Sequence, residues 1–134
     1  MNNVNKLRIS ALMLYWAEGT KKGSNVDFTN SDYKMAQLWI KFLREICKVD
    51  EKRLKLQLHL HYDMNEPELK KWWSKKLNIP LKNFTKSYIK KVKKKGTYKI
   101  KSYVGTIKIR YSSKSLLNKI NTEISQLWHE FNLR

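Results

Sequence analysis

An acidic side chain closes the first apolar run of this sequence, Ala11-Leu12-Met13-Leu14-Tyr15-Trp16-Ala17-Glu18-Gly19. A carboxylate at the C-terminal pole of a helix faces the negative end of the helix dipole, so it is unfavourable there unless something positive compensates. A divalent cation would compensate. An exposed contact with Lys21 or Lys22 is the plainer alternative, and the residues alone favour it. A second group of chemically able side chains alternates along residues 54–63, where Lys55, Gln57, His59 and His61 face away from Leu54, Leu56, Leu58, Leu60 and Tyr62. Lysine can address guanine acceptors and glutamine can pair with adenine, and strand side chains two residues apart can enter a major groove. The same row could be an ordinary solvated face, or His59, His61 and Asp63 could be three metal ligands on one face. A third group is the run Lys90, Lys91, Lys93, Lys94, Lys95, Lys99 and Lys101, interleaved with Tyr88, Tyr98 and Tyr103. Lysine binds phosphate as a point charge without reading sequence, so phosphate contact is the expected role, with the tyrosines assigned to the core.

The elements that must carry these groups follow from periodicity. Leu7, Ile9, Leu12, Leu14 and Tyr15 have helical spacing, and Gly19 stands where a helix stops. Residues 20–22 and 26–29 are predicted to be two short strands about a glycine turn. Asn30-Ser31-Asp32 offers capping side chains to a second helix with Met35, Leu38, Trp39, Phe42, Leu43 and Ile46 at three- and four-residue spacing. The alternating strand at 54–63 follows, and Glu66-Pro67-Glu68 then opens a third helix with Leu69, Trp72, Trp73 and Leu77 on one face. Residues 84–111 are predicted to form strands joined near Gly96. Their apolar positions change phase between Ile100 and Tyr103, which requires a bulge or break near Gly105. Ser112-Ser113 caps a last helix carrying Leu116, Leu117, Ile120, Ile124, Leu127, Trp128 and Phe131. The expected order is α, β, β, α, β, α, β, β, α in a single domain over residues 1–134.

Composition narrows the function. The 134 residues hold 29 Lys plus Arg against 11 Asp plus Glu, a formal charge of +18, with 41% hydrophobic and 12% aromatic content, enough to bury a core. The excess is concentrated: residues 69–122 hold 17 basic side chains and no acidic one. Self-repulsion of that size points to a polyanionic partner, and nucleic acid is the commonest. A membrane surface would call for the lysines on an amphipathic helix, whereas here they fall on strand and turn. One cysteine, Cys47, excludes an internal disulfide and a cysteine-based zinc site, and no apolar run reaches the length of a membrane span, so a soluble, intracellular, non-secreted protein is expected. No nucleotide-binding glycine loop, zinc finger or nucleophile triad is present, and no small-molecule substrate is expected.

The segment ending in Ala17-Glu18-Gly19 resembles the signature helix of the LAGLIDADG homing endonucleases, with Leu14 at the motif's central leucine. Its continuation is similar to short members of that family, which read L-Y-W-x-E-G-[ST]-K, a strand, and F-T-N-S-D opening a helix. Here these are Leu14-Tyr15-Trp16-Ala17-Glu18-Gly19-Thr20-Lys21 and Phe28-Thr29-Asn30-Ser31-Asp32. The likeness covers about the first 45 residues well and the rest loosely. It departs from the family at Met13, where a small residue often allows two helices to approach, and in the extra helix at residues 66–77.

The resemblance implies an α+β fold with an antiparallel saddle-shaped sheet in the major groove, and a motif helix packed against its counterpart in a homodimer. It implies double-stranded DNA as partner, a near-palindromic site and Mg²⁺-dependent hydrolysis of phosphodiester bonds. Glu18 becomes the metal ligand with Gly19 beside it, Lys108 and Arg110 the basic groups near the reacting phosphate, and Asn30 a water-positioning side chain. Lys21, Lys22, Lys55, Gln57, His59, His61 and the lysines from Lys90 to Lys101 become the DNA-contacting set. The rival keeps the fold without the chemistry: a DNA-binding regulator or a maturase-like RNA-binding protein.

Overall fold

The computed structural model describes residues 1–91 and 103–132. In chain order they form α1 (Asn3–Glu18), β1 (Asn25–Asn30), α2 (Tyr33–Glu45), β2 (Lys55–His61), α3 (Glu66–Leu77), β3 (Tyr88–Lys90), β4 (Thr106–Ser112) and α4 (Lys114–Glu130). Single 3₁₀ turns at Glu51–Arg53 and Leu81–Asn83 precede β2 and β3. The architecture is α+β, with one four-stranded sheet in the order β1-β4-β2-β3.

Side-chain caps set most helix starts. Asn2 accepts from the Asn5 amide, Asp32 from Lys34, Asn65 from Glu68 and Ser113 from Leu116, each satisfying an amide that the helix leaves without a partner. At the end of α3, Asn78 takes the left-handed conformation that closes a helix, with φ 53°.

The sheet is mixed, which corrects the expected antiparallel sheet. β4 pairs antiparallel with β1 and with β2, but β3 runs parallel to β2. The cause is α3: strands joined by a helical crossover return in the same direction, whereas a tight hairpin would reverse them. The expected strand at residues 20–22 is also absent. Only Gly19 bridges to Phe28, and the Thr20 amide donates to the Asp27 carbonyl at 3.1 Å, so the chain touches β1 and leaves it. The expected turn near Gly96, and the positions Tyr98 and Ile100, lie outside the described residues. The change of phase expected near Gly105 involves those positions; Gly105 itself has φ +72° immediately before β4, and a Cβ there would stand 2.4 Å from the Leu60 side chain and 2.8 Å from the His59 carbonyl.

Alternation divides the sheet into two faces. Val26, Phe28, Leu56, Leu58, Leu60, Ile107, Ile109 and Tyr111 join one core with Ala11, Leu12, Tyr15, Trp39, Phe42, Leu117, Ile120 and Trp73 from the helices. Trp39 is its centre, stacked on Tyr15 at 5.0 Å and Phe28 at 5.5 Å between ring centroids. The opposite sheet face is polar and reaches solvent.

Candidate nucleic-acid interface

The polar face is assembled by strand register. Asp27, Arg110 and Lys55 form one cross-strand row, Thr29, Lys108 and Gln57 the next, and Thr106, His59 and Tyr88 a third, with His61 opposite Lys90 beyond it. Adjacent strands lie about 4.8 Å apart, so side chains separated in sequence by 83 residues become direct neighbours.

Asp27, Arg110, Lys108, Gln57 and His59 are held by their neighbours. Arg110 makes a two-pronged contact with Asp27, Nε to Oδ1 and Nη2 to Oδ2, both at 2.8 Å. Lys108 Nζ lies 3.9 Å from Asp27 Oδ2. The Asp27 side chain is only 8% exposed, so two cations cover a carboxylate that could not be buried alone. Hydrogen bonding to Asp27 raises the Arg110 pKa further above its ordinary value, against the opposing effect of burial. Gln57 Nε2 donates to the Lys86 carbonyl at 3.0 Å, and Gln57 Oε1 lies 3.2 Å from His59 Nε2. The His59 ring packs on Tyr88 at 5.5 Å between centroids. Burial, followed by the neighbouring charge of Lys108, lowers the His59 pKa from its ordinary value, which favours the neutral ring. Lys55, Gln57, Thr85, Lys108 and Arg110, with Leu56 at the floor, line a pit of about 230 Å³ between β2 and β4. Such a concave cationic surface can receive phosphate or base-edge acceptors.

Glu18 lies elsewhere. It is the last residue of α1, exposed, and among the described residues it has no ion pair; neither Lys21 nor Lys22 neutralises it. Its neighbour Gly19 bridges to β1 on the edge away from β4, so Glu18 marks the outer margin of the sheet. The turn is tightly made: the Gly19 amide donates to the Tyr15 carbonyl at 2.7 Å, and the Tyr15 hydroxyl donates to the Thr20 carbonyl. A Cβ at Gly19 would fall 2.3 Å from the Tyr15 ring. Glycine here is a packing requirement, whatever else the position does. Beside Glu18, a mainly apolar groove of about 500 Å³ lies between α1 and α2, lined by Ser10, Met13, Leu14, Ala17, Met35 and Leu38 with Lys34 at its rim.

The candidate residues therefore fall into two places. Lys55, Gln57, His59, Lys108 and Arg110 come together, while Lys108 and Arg110 make their ion pairs with Asp27 and not with Glu18. Asn30 ends β1, where its Oδ1 accepts from the Asp32 amide at 2.8 Å and its Nδ2 lies 3.3 Å from Met35 Sδ. It shapes the turn into α2. The Lys21 carbonyl accepts from Asn121 of α4 at 3.1 Å, and Lys22 is exposed. Lys90 ends β3 and Lys91 is exposed just beyond it; Lys93, Lys94, Lys95, Lys99 and Lys101 lie outside the described residues. Tyr88 and Tyr103 are exposed and do not join the core as expected, because β3 is a three-residue edge strand and Tyr103 sits in the turn before β4. Among the described residues, no group of three or more His, Cys, Asp or Glu side chains could hold a metal ion, and His59, His61 and Asp63 do not form one. No helix among them is long and apolar enough to cross a membrane.

Asp27, Thr85 and the Lys86 carbonyl were not legible as parts of this surface. The available signal was small: Asp27 is the one acid in β1, out of phase with Val26 and Phe28. Comparison of the chain with known protein families, curated proteins and solved structures finds no match.

Proposed function

We propose that the protein binds double-stranded DNA through the polar face of its sheet and cleaves it as a Mg²⁺-dependent, LAGLIDADG-like homodimeric endonuclease. The observation that carries the reading is the row structure of that face, where Lys55, Lys108 and Arg110 form a cationic surface around a fixed carboxylate. Phosphate contacts supply affinity there, and the side chains on β2 and β4 reach base edges.

The catalytic part rests on Glu18. Magnesium binds through one or two carboxylates together with waters and substrate phosphates, so a lone exposed acid fits it as a partial site. Glu18 and the Gly19 carbonyl would hold the ion, and a second copy of the chain would bring the second carboxylate. The ion, when bound, supplies charge stabilisation at the phosphate and an activated water. The chain's own residues do the rest. Arg110, Lys108 and Lys55 anchor the duplex, and the turn around Gly19 fixes where Glu18 leaves α1. The outer face of α1 supports a dimer: Met13 and Ala17 are exposed and line the apolar groove, so two copies could each cover the other's helix.

The test is cleavage of a randomised duplex library with Mg²⁺, beside an EDTA control and Glu18→Gln. Discrete double-strand breaks at a near-palindromic site, absent from both controls, are expected. Tight, salt-sensitive binding without breaks would instead assign the surface to a non-catalytic DNA-binding regulator, and preference for RNA to a maturase-like protein.

A further inference from the structure

One hydrogen-bond chain on the polar face has its direction fixed by chemistry. A carbonyl oxygen can only accept, so the Gln57 group 3.0 Å from the Lys86 carbonyl must be the amide nitrogen. Gln57 Oε1 therefore faces His59 Nε2 at 3.2 Å, and since this oxygen also only accepts, Nε2 must carry the ring proton. A neutral imidazole has one such proton. Nδ1 is left as a bare acceptor, and no hydrogen bond to another described residue uses it.

The anchor of the chain is itself held. The Thr85 amide donates to the Leu56 carbonyl at 2.7 Å, and Phe84 bridges to Leu56, which ties the segment before Lys86 to β2. Tyr88 packs on the His59 ring from the neighbouring strand. Burial and the charge of Lys108 disfavour a second proton on the ring, which favours the acceptor.

The surroundings give that acceptor its meaning. Lys55, Lys108 and Arg110 are donors only, and both ends of the Gln57 amide are already engaged, so Gln57 is less free to read adenine than its side chain suggests. In the major groove, adenine N6 and cytosine N4 offer donors, while guanine N7 and O6 and thymine O4 offer only acceptors. We propose that His59 Nδ1 is a specificity-determining acceptor that selects an amino-bearing base, adenine or cytosine, at one position of the DNA site. Gln57 is its positioning residue, setting the tautomer without reading the base. This rests on the reading that the polar face enters a duplex groove.

The experiment selects bound duplexes from a randomised library at pH 7.5 in EDTA, using the full chain, His59→Phe and Gln57→Met. The wild-type chain should enrich adenine or cytosine about tenfold or more over guanine and thymine at one position, the worth of one good base contact. His59→Phe should flatten that position to within about twofold and leave the others unchanged. Gln57→Met should admit guanine there, because the ring can then carry its proton on Nδ1. Nitrogen NMR of the free protein should show the Nε2–H tautomer in the wild-type chain and a mixture in Gln57→Met. An Nδ1–H tautomer in the wild type, or the same base preferences with and without His59, would overturn the inference while leaving DNA binding intact. Failure of the wild-type chain to bind any duplex would overturn the parent reading as well.

Discussion

Arg110 and Glu18 both end in forked charged groups, yet only the first is held in place by its own chain. Arg110 is clamped by Asp27, beside Lys108 and across from Lys55 in one row of the sheet. Glu18 projects from the end of α1 without a cation to meet it among the described residues. The sheet face is thus a surface prepared within a single chain, since its side chains lose little freedom when a ligand arrives. The helix end has a fixed backbone and an open side chain. Binding can belong to one copy, whereas the proposed cleavage requires an ion and a second copy to complete the acid's surroundings.

The contrast is broken most sharply at Glu18. Glu18→Gln should lower cleavage by a thousandfold or more, roughly 4 kcal/mol of transition-state stabilisation, with duplex affinity changed less than about twofold. Single-turnover cleavage and equilibrium binding on the same duplex check this, and retained cleavage would remove Glu18 from the mechanism. Gly19→Ala comes next, because its Cβ would stand inside the contact distance of the Tyr15 ring. A loss of about 2 kcal/mol is expected in urea unfolding, as for an overpacked core position; an unchanged midpoint would mean that Tyr15 turns away at little cost.

Asp27→Asn sharpens the other side of the comparison. It leaves Arg110 and Lys108 without their shared carboxylate and should cost about 1 to 2 kcal/mol of stability, a modest figure because Arg110 is partly solvated. Nonspecific DNA affinity should rise, since one negative charge leaves the cationic face. A fall in both stability and affinity would show that holding Arg110 matters more than removing the charge. The smallest effect is expected from replacing Lys93, Lys94 and Lys95 with Ala together. Binding should weaken by about tenfold for every sequence alike, and the salt slope should decrease in magnitude by up to about 3. An unchanged slope would place that segment off the DNA.

Local order was legible wherever a repeating pattern decided it. The alternation from Leu54 to Leu60 placed Lys55, Gln57, His59 and His61 on one face of β2, although Tyr62, expected on the core side, follows the strand and is exposed, and Gly19 marked the end of α1. Patterns failed where the deciding contact is distant. Residues 20–22 leave β1 after the Thr20 amide's bond to Asp27, and the Lys21 carbonyl turns to Asn121 of α4, a hundred residues on. The parallel return of β3 depends on where the chain lands after α3, which no local period records. Lys108 and Arg110 read as free cations because their partner, Asp27, lies some eighty residues earlier in the chain.

The sequence by itself determined the charge excess and its confinement to residues 69–122, the four helices, the caps of α2 and α4, and the side of β2 that would be wet. These depend on composition and on contacts a few residues long. Tertiary structure alone decided the order β1-β4-β2-β3, the burial of Asp27 beneath two cations, and the direction of the Lys86–Gln57–His59 chain. Each of those requires strands far apart in sequence to lie side by side, and side-chain charge and proton position then follow from the neighbour that register supplies.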